Sequence, residues 1–283
     1  MTPEEMQARL LYRDGLMLVI DKPPGLPVHR GPKGVEAFED YFDALRFGLP
    51  RPPALAHRLD RDTTGCLVLG RHRKALALLG KLFQQGKVGK TYWAVVEGGP
   101  AADTGMIDIA LAKRDESRGW WMKADPQGLP SVTRWTVMGQ SSMPQSFVSR
   151  PPCGEGAGMG VAVDARANSI NNPPPQPSPT REEGTLIARG SASANFTWLA
   201  LEPLTGRTHQ LRVHCAEMGF PIVGDTIYGS ASRHSVSLGG PALHLHAREV
   251  VVPISKNKPP VTVTAPLPTH MRELLGQCGW KGE

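Results

Sequence analysis

The stretch ALAHRLDRDTTGCLVLGRHRK, residues 54–74, sets His57, Arg58, Asp60, Arg61 and Asp62 within a few positions and then runs into the apolar LVL of residues 67–69. A buried strand preceded at once by so many charges has two readings. It follows an ordinary solvated turn, with Gly65 supplying backbone freedom after DTT, or it is a rigid post that presents a carboxylate and an arginine. Taken alone, Asp60 reads as a turn residue or half of an ion pair, and Arg58 as a surface cation. Tyr92 alone reads as a strand aromatic, and Arg207 and Arg212 as solvated helix charges.

Outward from this stretch, LMLVI (16–20) follows an Asp14-Gly15 turn signal and predicts a buried strand, closed by the rigid turn DKPPGLPVH. Val35, Phe38, Phe42 and Leu45 recur at helical spacing and predict an amphipathic helix over 35–47. Leu76, Leu79 and Phe83 line one face of a second helix that ends near Gly86. KTYWAVVEG predicts a strand with Tyr92, Ala94 and Val96 on one face and Trp93 and Val95 on the other. Residues 107–111, 132–138 and 196–203 are further expected strands. RTHQLRVHCAEMG predicts a helix with Leu211, Cys215 and Met218 turned inward and Gly219 at its end. ALHLHAREVVVP and PPVTVTAP close the chain as strands. Many strands, few helices and short turns predict an α+β fold with a mixed, largely antiparallel sheet.

Residues 139–194 break the pattern: they are rich in Pro, Gly, Ser and Asn, with NNPPPQPSPTREEG as the extreme. Because 132–138 and 196–202 look like hairpin partners that ordinarily need a short loop, this segment reads as a disordered insertion at the hairpin tip. A linker between two domains is the rival reading. The expectation is a single domain over residues 1–283. A chain of 283 residues can bury a real core, and no apolar run reaches the ~18 residues of a membrane span. The beginning, MTPEEMQARLLYRDG, is acidic where a secretory signal is basic, so a cytoplasmic protein is expected. Cys66, Cys153, Cys215 and Cys278 form no CxxC pair, which argues against a disulfide framework or a structural zinc. The formal charge of +6 permits a polyanionic partner without requiring one.

The combination of motifs carries more than any one of them. LMLVIDKPPGLPVH, HRLDRDTTGCLVLGR, KVGKTYWAVVEG and LEPLTGRTHQLRVHCAEMGFPIVGDTIYG occur in that order, followed by ALHLHA and VTAPLP. Together they resemble the RluA-like pseudouridine synthases of ribosomal and transfer RNA, over residues ~11–138 and ~195–270. The resemblance implies the pseudouridine synthase fold with an RNA cleft across the sheet. It also implies an isomerase that converts uridine in structured RNA to its carbon-linked isomer without cofactor or metal.

The resemblance assigns Asp60 as the catalytic aspartate, Tyr92 as the active-site tyrosine and Arg212 as the arginine that pairs with the aspartate. A carboxylate suits a reaction that builds positive charge on a sugar, and a phenol can stack on uracil or accept a proton. Arg58 is expected to fill the space left by a flipped base, since a planar guanidinium stacks on neighbouring bases. Arg207 is expected on phosphate or in support of the site. His57, Thr64 and His209 complete the expected RNA-facing set, with His57 in a structural part. Thr64 stands where the family more usually has serine, and it keeps the hydroxyl.

The small N-terminal RNA-binding module of many relatives is not expected, so the catalytic domain itself must hold RNA, with Arg71, Arg73, Lys74, Lys87 and Lys90 as candidates. A monomer is expected. Two other classes are open to this sequence. A metal enzyme could use His209 and His214, or His244 and His246, but neither pair has convincing zinc spacing. An RNA-binding protein without catalysis would need Asp60 and Tyr92 to be incidental.

Overall fold

The computed structural model describes residues 1–31, 34–114, 121–142, 194–229, 242–255 and 257–282. The strands in its first half are β1 (Leu10–Arg13), β2 (Met17–Lys22), β3 (Ala54–Leu55), β4 (Thr64–Gly70), β5 (Gly89–Glu97) and β6 (Thr104–Asp108). They are followed by β7 (Leu111–Lys113), β8 (Met122–Ala124), β9 (Val132–Ser142), β10 (Ala194–Pro203), β11 (Leu245–Val252) and β12 (Val261–Thr264). The α-helices are α1 (Pro3–Gln7), α2 (Arg73–Gln84), α3 (Gln210–Glu217) and α4 (Thr269–Gln277). One ten-stranded sheet runs β1-β2-β4-β11-β5-β10-β9-β6, with β12 on β11 and β3 on β4, while β7 and β8 form a separate ribbon. Among the described residues its pairings are antiparallel except β4 with β11, where His246 sits opposite Thr64 and Ala247 opposite Gly65. The expected α+β fold with a mixed, largely antiparallel sheet is the fold observed.

β4, the strand behind the charged stretch, is buried at every residue, as a strand covered on both faces must be. Leu67 and Leu69 pack with Leu18 and Ile20 of β2, with Leu79 of α2 and with Phe38 and Phe42. The alternation read in β5 holds. Ala94 and Val96 face Leu211, Cys215 and Met218, and Leu199 and Leu201 of β10 join them. On the opposite face Val95 and Trp198 pack beneath Met271 and Leu275 of α4. The sheet thus carries α3 on one face and α4 on the other, and α3 is the helix that brings functional groups.

Four local readings need correction. The helix expected over 35–47 is a 3₁₀ helix, Phe38–Leu45, and Val35 is 58% exposed. The Asp40 carboxylate accepts from the Ala37 N–H and starts the helix there, and its bonds run to the third residue back, as from Asp40 N–H to Ala37 C=O. The strand expected at 107–111 is broken, because Ile109 and Leu111 donate to Ser131 and Leu129 and lead the chain from β6 into the ribbon. β9 runs on to Ser142 and pairs there with Ala194 of β10, so residues 139–142 are strand rather than insertion. Finally, α1 and α4 were not read from the sequence. The rest of the expected insertion, 143–193 with Cys153, lies outside the described residues.

The close parallel approach of β4 to β11 depends on Gly65. Its φ is +101°, and a Cβ there would lie 2.3 Å from the carbonyl oxygen of Ala247. Gly65→Ala should therefore destabilise the fold by at least ~2 kcal/mol, through strain and overpacking together, read as a lower urea midpoint.

Candidate active site

Asp60 lies in the loop between β3 and β4, and that loop is pinned from beneath by a residue of the DKPPG turn. Lys22, at the end of β2, is fully buried. Its Nζ donates to the carbonyl oxygens of Pro23 (2.8 Å), Arg61 (2.7 Å) and Thr63 (3.1 Å). Burial pulls its pKa down to about 7, opposed by the nearby Asp62 and Asp60 carboxylates. The Thr63 N–H closes the loop onto the Asp60 carbonyl at 3.2 Å. At its base, Thr64 Oγ1 is bonded to His246 Nδ1 at 2.8 Å. Outside it, Arg61 pairs with Asp62 at 3.1 Å. The charges of the opening stretch are thus divided: Asp60 turns into the protein, and Arg61 and Asp62 neutralise each other on its surface.

Opposite this loop stands the N-terminus of α3. The turn TGRTHQ is organised by the buried Gln210, whose Oε1 accepts from Thr205 Oγ1 (2.8 Å) and Arg207 N–H (3.0 Å). Its Nε2 donates to Val132 C=O (2.9 Å) and Thr133 Oγ1 (3.0 Å), so one amide ties the turn to β9. His209 takes a left-handed conformation, φ 51°, rare for a residue with a Cβ. Arg212 is 4% exposed, not the solvated helix charge it resembles when read alone. Its Nε and Nη2 donate to the two oxygens of the buried Asp225, both at 2.7 Å. The N–H groups of Ile227 and Tyr228 also donate to Asp225. Burial works against the charge on Asp225, yet the guanidinium and these donors hold its carboxyl below the usual carboxylate range.

With Nε and Nη2 engaged, Arg212 Nη1 is the nitrogen that faces Asp60, 3.9 Å from Oδ2. His209 Nε2 reaches the same oxygen at 3.9 Å, and its Nδ1 is 2.9 Å from the hydroxyl of Tyr228. The Arg212 guanidinium also lies over the Tyr228 ring, 5.3 Å from its centre. These groups open into a cavity of about 570 Å³ lined by Asp60, Tyr92, Arg212, His209, Arg207 and Arg58, among others, roomy enough for a nucleoside-sized ligand.

The structure brings Asp60, Tyr92 and Arg212 into one cavity with Arg58, Arg207, His57 and His209. Arg58 is exposed at its rim. Arg207 donates from Nε to Pro130 C=O at 3.1 Å. Burial, reinforced by the Asp60 charge, pushes the Tyr92 phenol above its ordinary value. His209 is drawn down by burial, against the pull of Asp60. His57 is stacked on Phe83 at 4.5 Å and its Nε2 accepts from the Val68 N–H at 2.9 Å. Burial takes its pKa down to about 3, so it is a neutral prop. Thr64 does not reach the cavity; it is buried against His246.

Lys22, Gln210, Asp225 and Tyr228 were not singled out from the sequence, though each lies inside a quoted motif. Their partners are remote in sequence or emerge from a turn, so only a buried charge within an otherwise apolar block could have flagged Lys22. The paired histidines divide: His214 is bonded to Thr133 Oγ1 and Ile109 C=O, on a different side from His209. Among the described residues no three His, Cys, Asp or Glu side chains converge as a metal site would require.

Comparison with known proteins shows what the chain as a whole is similar to. Residues 16–217 match the RNA pseudouridylate synthase family. An uncharacterised RNA pseudouridine synthase of Zymomonas mobilis is 35% identical over 268 residues, covering 94% of this chain and 96% of that one. The ribosomal large subunit pseudouridine synthase C of Haemophilus ducreyi is 30% identical over 280 residues, covering 96% and 70% respectively. Among solved structures, human RNA pseudouridylate synthase domain containing 4 superimposes with a TM-score of 0.66 at 23% identity, over 98% of this chain and 95% of that one. That likeness establishes the shared fold.

The pair beneath the site is testable by stability. Asp225→Asn leaves the Arg212 charge buried without its counter-ion and should cost ~3–5 kcal/mol, read as a drop in the denaturation midpoint. Because the folded-state pKa of Asp225 lies below its unfolded value, its contribution is complete above about pH 4 and is lost as pH falls through the folded value. The gap between wild type and D225N should therefore narrow only in acid.

Proposed function

The chain belongs to the RNA pseudouridylate synthase family, whose named members are isomerases, and from that premise we propose that it isomerises a uridine in ribosomal or transfer RNA with Asp60 as the catalytic carboxylate. The observation that carries this reading is the Asp60 carboxylate, side chain 20% exposed, facing the cavity with Arg212 and His209 both 3.9 Å from one of its oxygens. The name of the Haemophilus ducreyi relative favours large-subunit ribosomal RNA as substrate.

The reaction is balanced within the nucleotide. The bond between N1 of uracil and C1′ of ribose breaks, the base turns, a bond forms between C5 and C1′, the C5 proton leaves, and N1 is protonated. Asp60 meets the positive charge that develops on the sugar. Arg212, itself immobilised by Asp225, keeps that carboxylate ionised and aimed. Tyr92 projects from strand β5 and stacks on the uracil, where its phenol oxygen is also placed to take up the proton that leaves C5. Arg58, exposed at the rim two residues before Asp60, occupies the space the flipped base vacates. Arg207 steadies the RNA backbone near the mouth. His57 supports Arg58 by fixing the loop, and Thr64 and His209 hold the two walls.

Tritium release from RNA labelled at C5 of uridine, taken from cells lacking the protein, tests the reaction. Wild type should release tritium and Asp60→Ala should fall to background; release by D60A at the wild-type rate removes Asp60 from the chemistry. Arg58→Ala should slow release from folded RNA by at least tenfold, the equivalent of ~1.4 kcal/mol. It should slow release from an unstructured uridine-containing RNA far less, because no stacked base has to be extruded there. Equal losses on both substrates would count against the plug.

A further inference from the structure

Lys90 is a charge in the cavity that the reading above leaves unused. It lies on β5 two residues before Tyr92, so strand alternation puts it on the same face, about 6.6 Å further along. Both side chains line the cavity. Lys90 is half-buried, and among the described residues its ammonium makes no ion pair or side-chain hydrogen bond.

Its neighbours do not balance it. The Lys90 charge reaches His57 strongly enough to help depress that ring. His57, neutral and with Nε2 accepting from Val68, offers no negative charge in return. Asp60 is the carboxylate on the cavity wall, and Arg212 and His209 already face it. Among the described residues, four cationic side chains, Arg58, Lys90, Arg207 and Arg212, line the cavity against that single acid. Arg212 is neutralised from behind by Asp225. Burial accordingly pulls the Lys90 pKa down, with no opposing carboxylate among the causes. A partly desolvated cation without a counter-ion costs stability, and a site retains one when the missing anion arrives with the ligand.

We propose that Lys90 is an RNA-binding residue of the cavity, holding a backbone phosphate next to the nucleotide that Tyr92 faces. The inference rests on the reading of the cavity as an RNA site and goes beyond it by separating Lys90 from the other basic residues. Arg71 braces the fold, donating to the carbonyls of Asp14 and Phe47, while Arg73, Lys74 and Lys87 are exposed outside the cavity. A compact ammonium suits a phosphate oxygen approached from one side.

The test is the salt dependence of binding to a fluorescein-labelled oligouridylate, for wild type, Lys90→Met and Lys90→Arg, beginning at low ionic strength. Losing one phosphate contact should make the slope of log K against log salt shallower by ~0.7 in K90M, and K90R should restore it. Because Met keeps the stem and removes an unbalanced charge, the Tm of free K90M should equal or exceed that of wild type; a lower Tm would mark a structural role. Coincident slopes for wild type and K90M, or no wild-type binding at low salt, overturn the inference. Tritium release by wild type with coincident slopes sinks the Lys90 contact alone. A slope difference without tritium release leaves the phosphate contact standing and sinks the isomerase reading.

Discussion

The buried pair between Arg212 and Asp225 is the constraint on which the site depends. A guanidinium that is almost wholly removed from water needs an anion on its inner side. Asp225 supplies it in a two-pronged geometry that uses Nε and Nη2 and leaves Nη1 for Asp60. The planar guanidinium is therefore fixed in orientation toward the cavity, since both of its other nitrogens are engaged by Asp225. The same carboxylate collects the N–H groups of Ile227 and Tyr228, and Tyr228 in turn meets His209. One ion pair thus helps to set the positions of the two groups that lie 3.9 Å from the Asp60 carboxylate.

The opposite wall is held by different means. Leu59 anchors the Asp60 loop in the core, but the carbonyl groups of Arg61 and Thr63 also need a donor beneath them. Lys22 provides three donors from one ammonium and converts a charged turn into a fixed edge of β4. Gln210 does the equivalent for the turn before α3 with a neutral amide. In both cases a single buried polar side chain satisfies several backbone groups. Two loops on different elements are thereby tied to the strands beneath them, the kind of support that holds the side chains of a site in one geometry.

Much of the frame was legible in the chain itself. The strand β4, the alternation of β5 and the helix α3 each follow from apolar spacing over a few residues, and such spacing is a local property. The long motifs around Asp60, Tyr92 and Arg212 pointed to the residues that share the cavity. Legibility stopped where short segments depended on neighbours far along the chain. The amphipathic spacing of Val35, Phe38, Phe42 and Leu45 does not distinguish an α-helix from a 3₁₀ turn that starts at Ala37. Likewise the apolar residues 107–111 do not reveal that the chain changes partner at Ile109. α4 is not legible because its few apolar residues sit in a polar segment and make sense only against Trp198 and Val95.

The sequence by itself determined most of the element types and the strand-rich class, because periodicity is written locally, and its long motifs carried the resemblance that supplied the short list of chemical groups. Tertiary structure alone decided the roles within that list. It turned Arg212 inward and gave it Asp225, thirteen residues away, as its principal partner. It withdrew Thr64 to His246 across the parallel pair, made His57 a neutral prop, and buried Lys22 under a loop some forty residues downstream. Each outcome depends on which distant groups share a low-dielectric interior. There, a charge or hydrogen-bonding group must find a partner wherever the fold brings one.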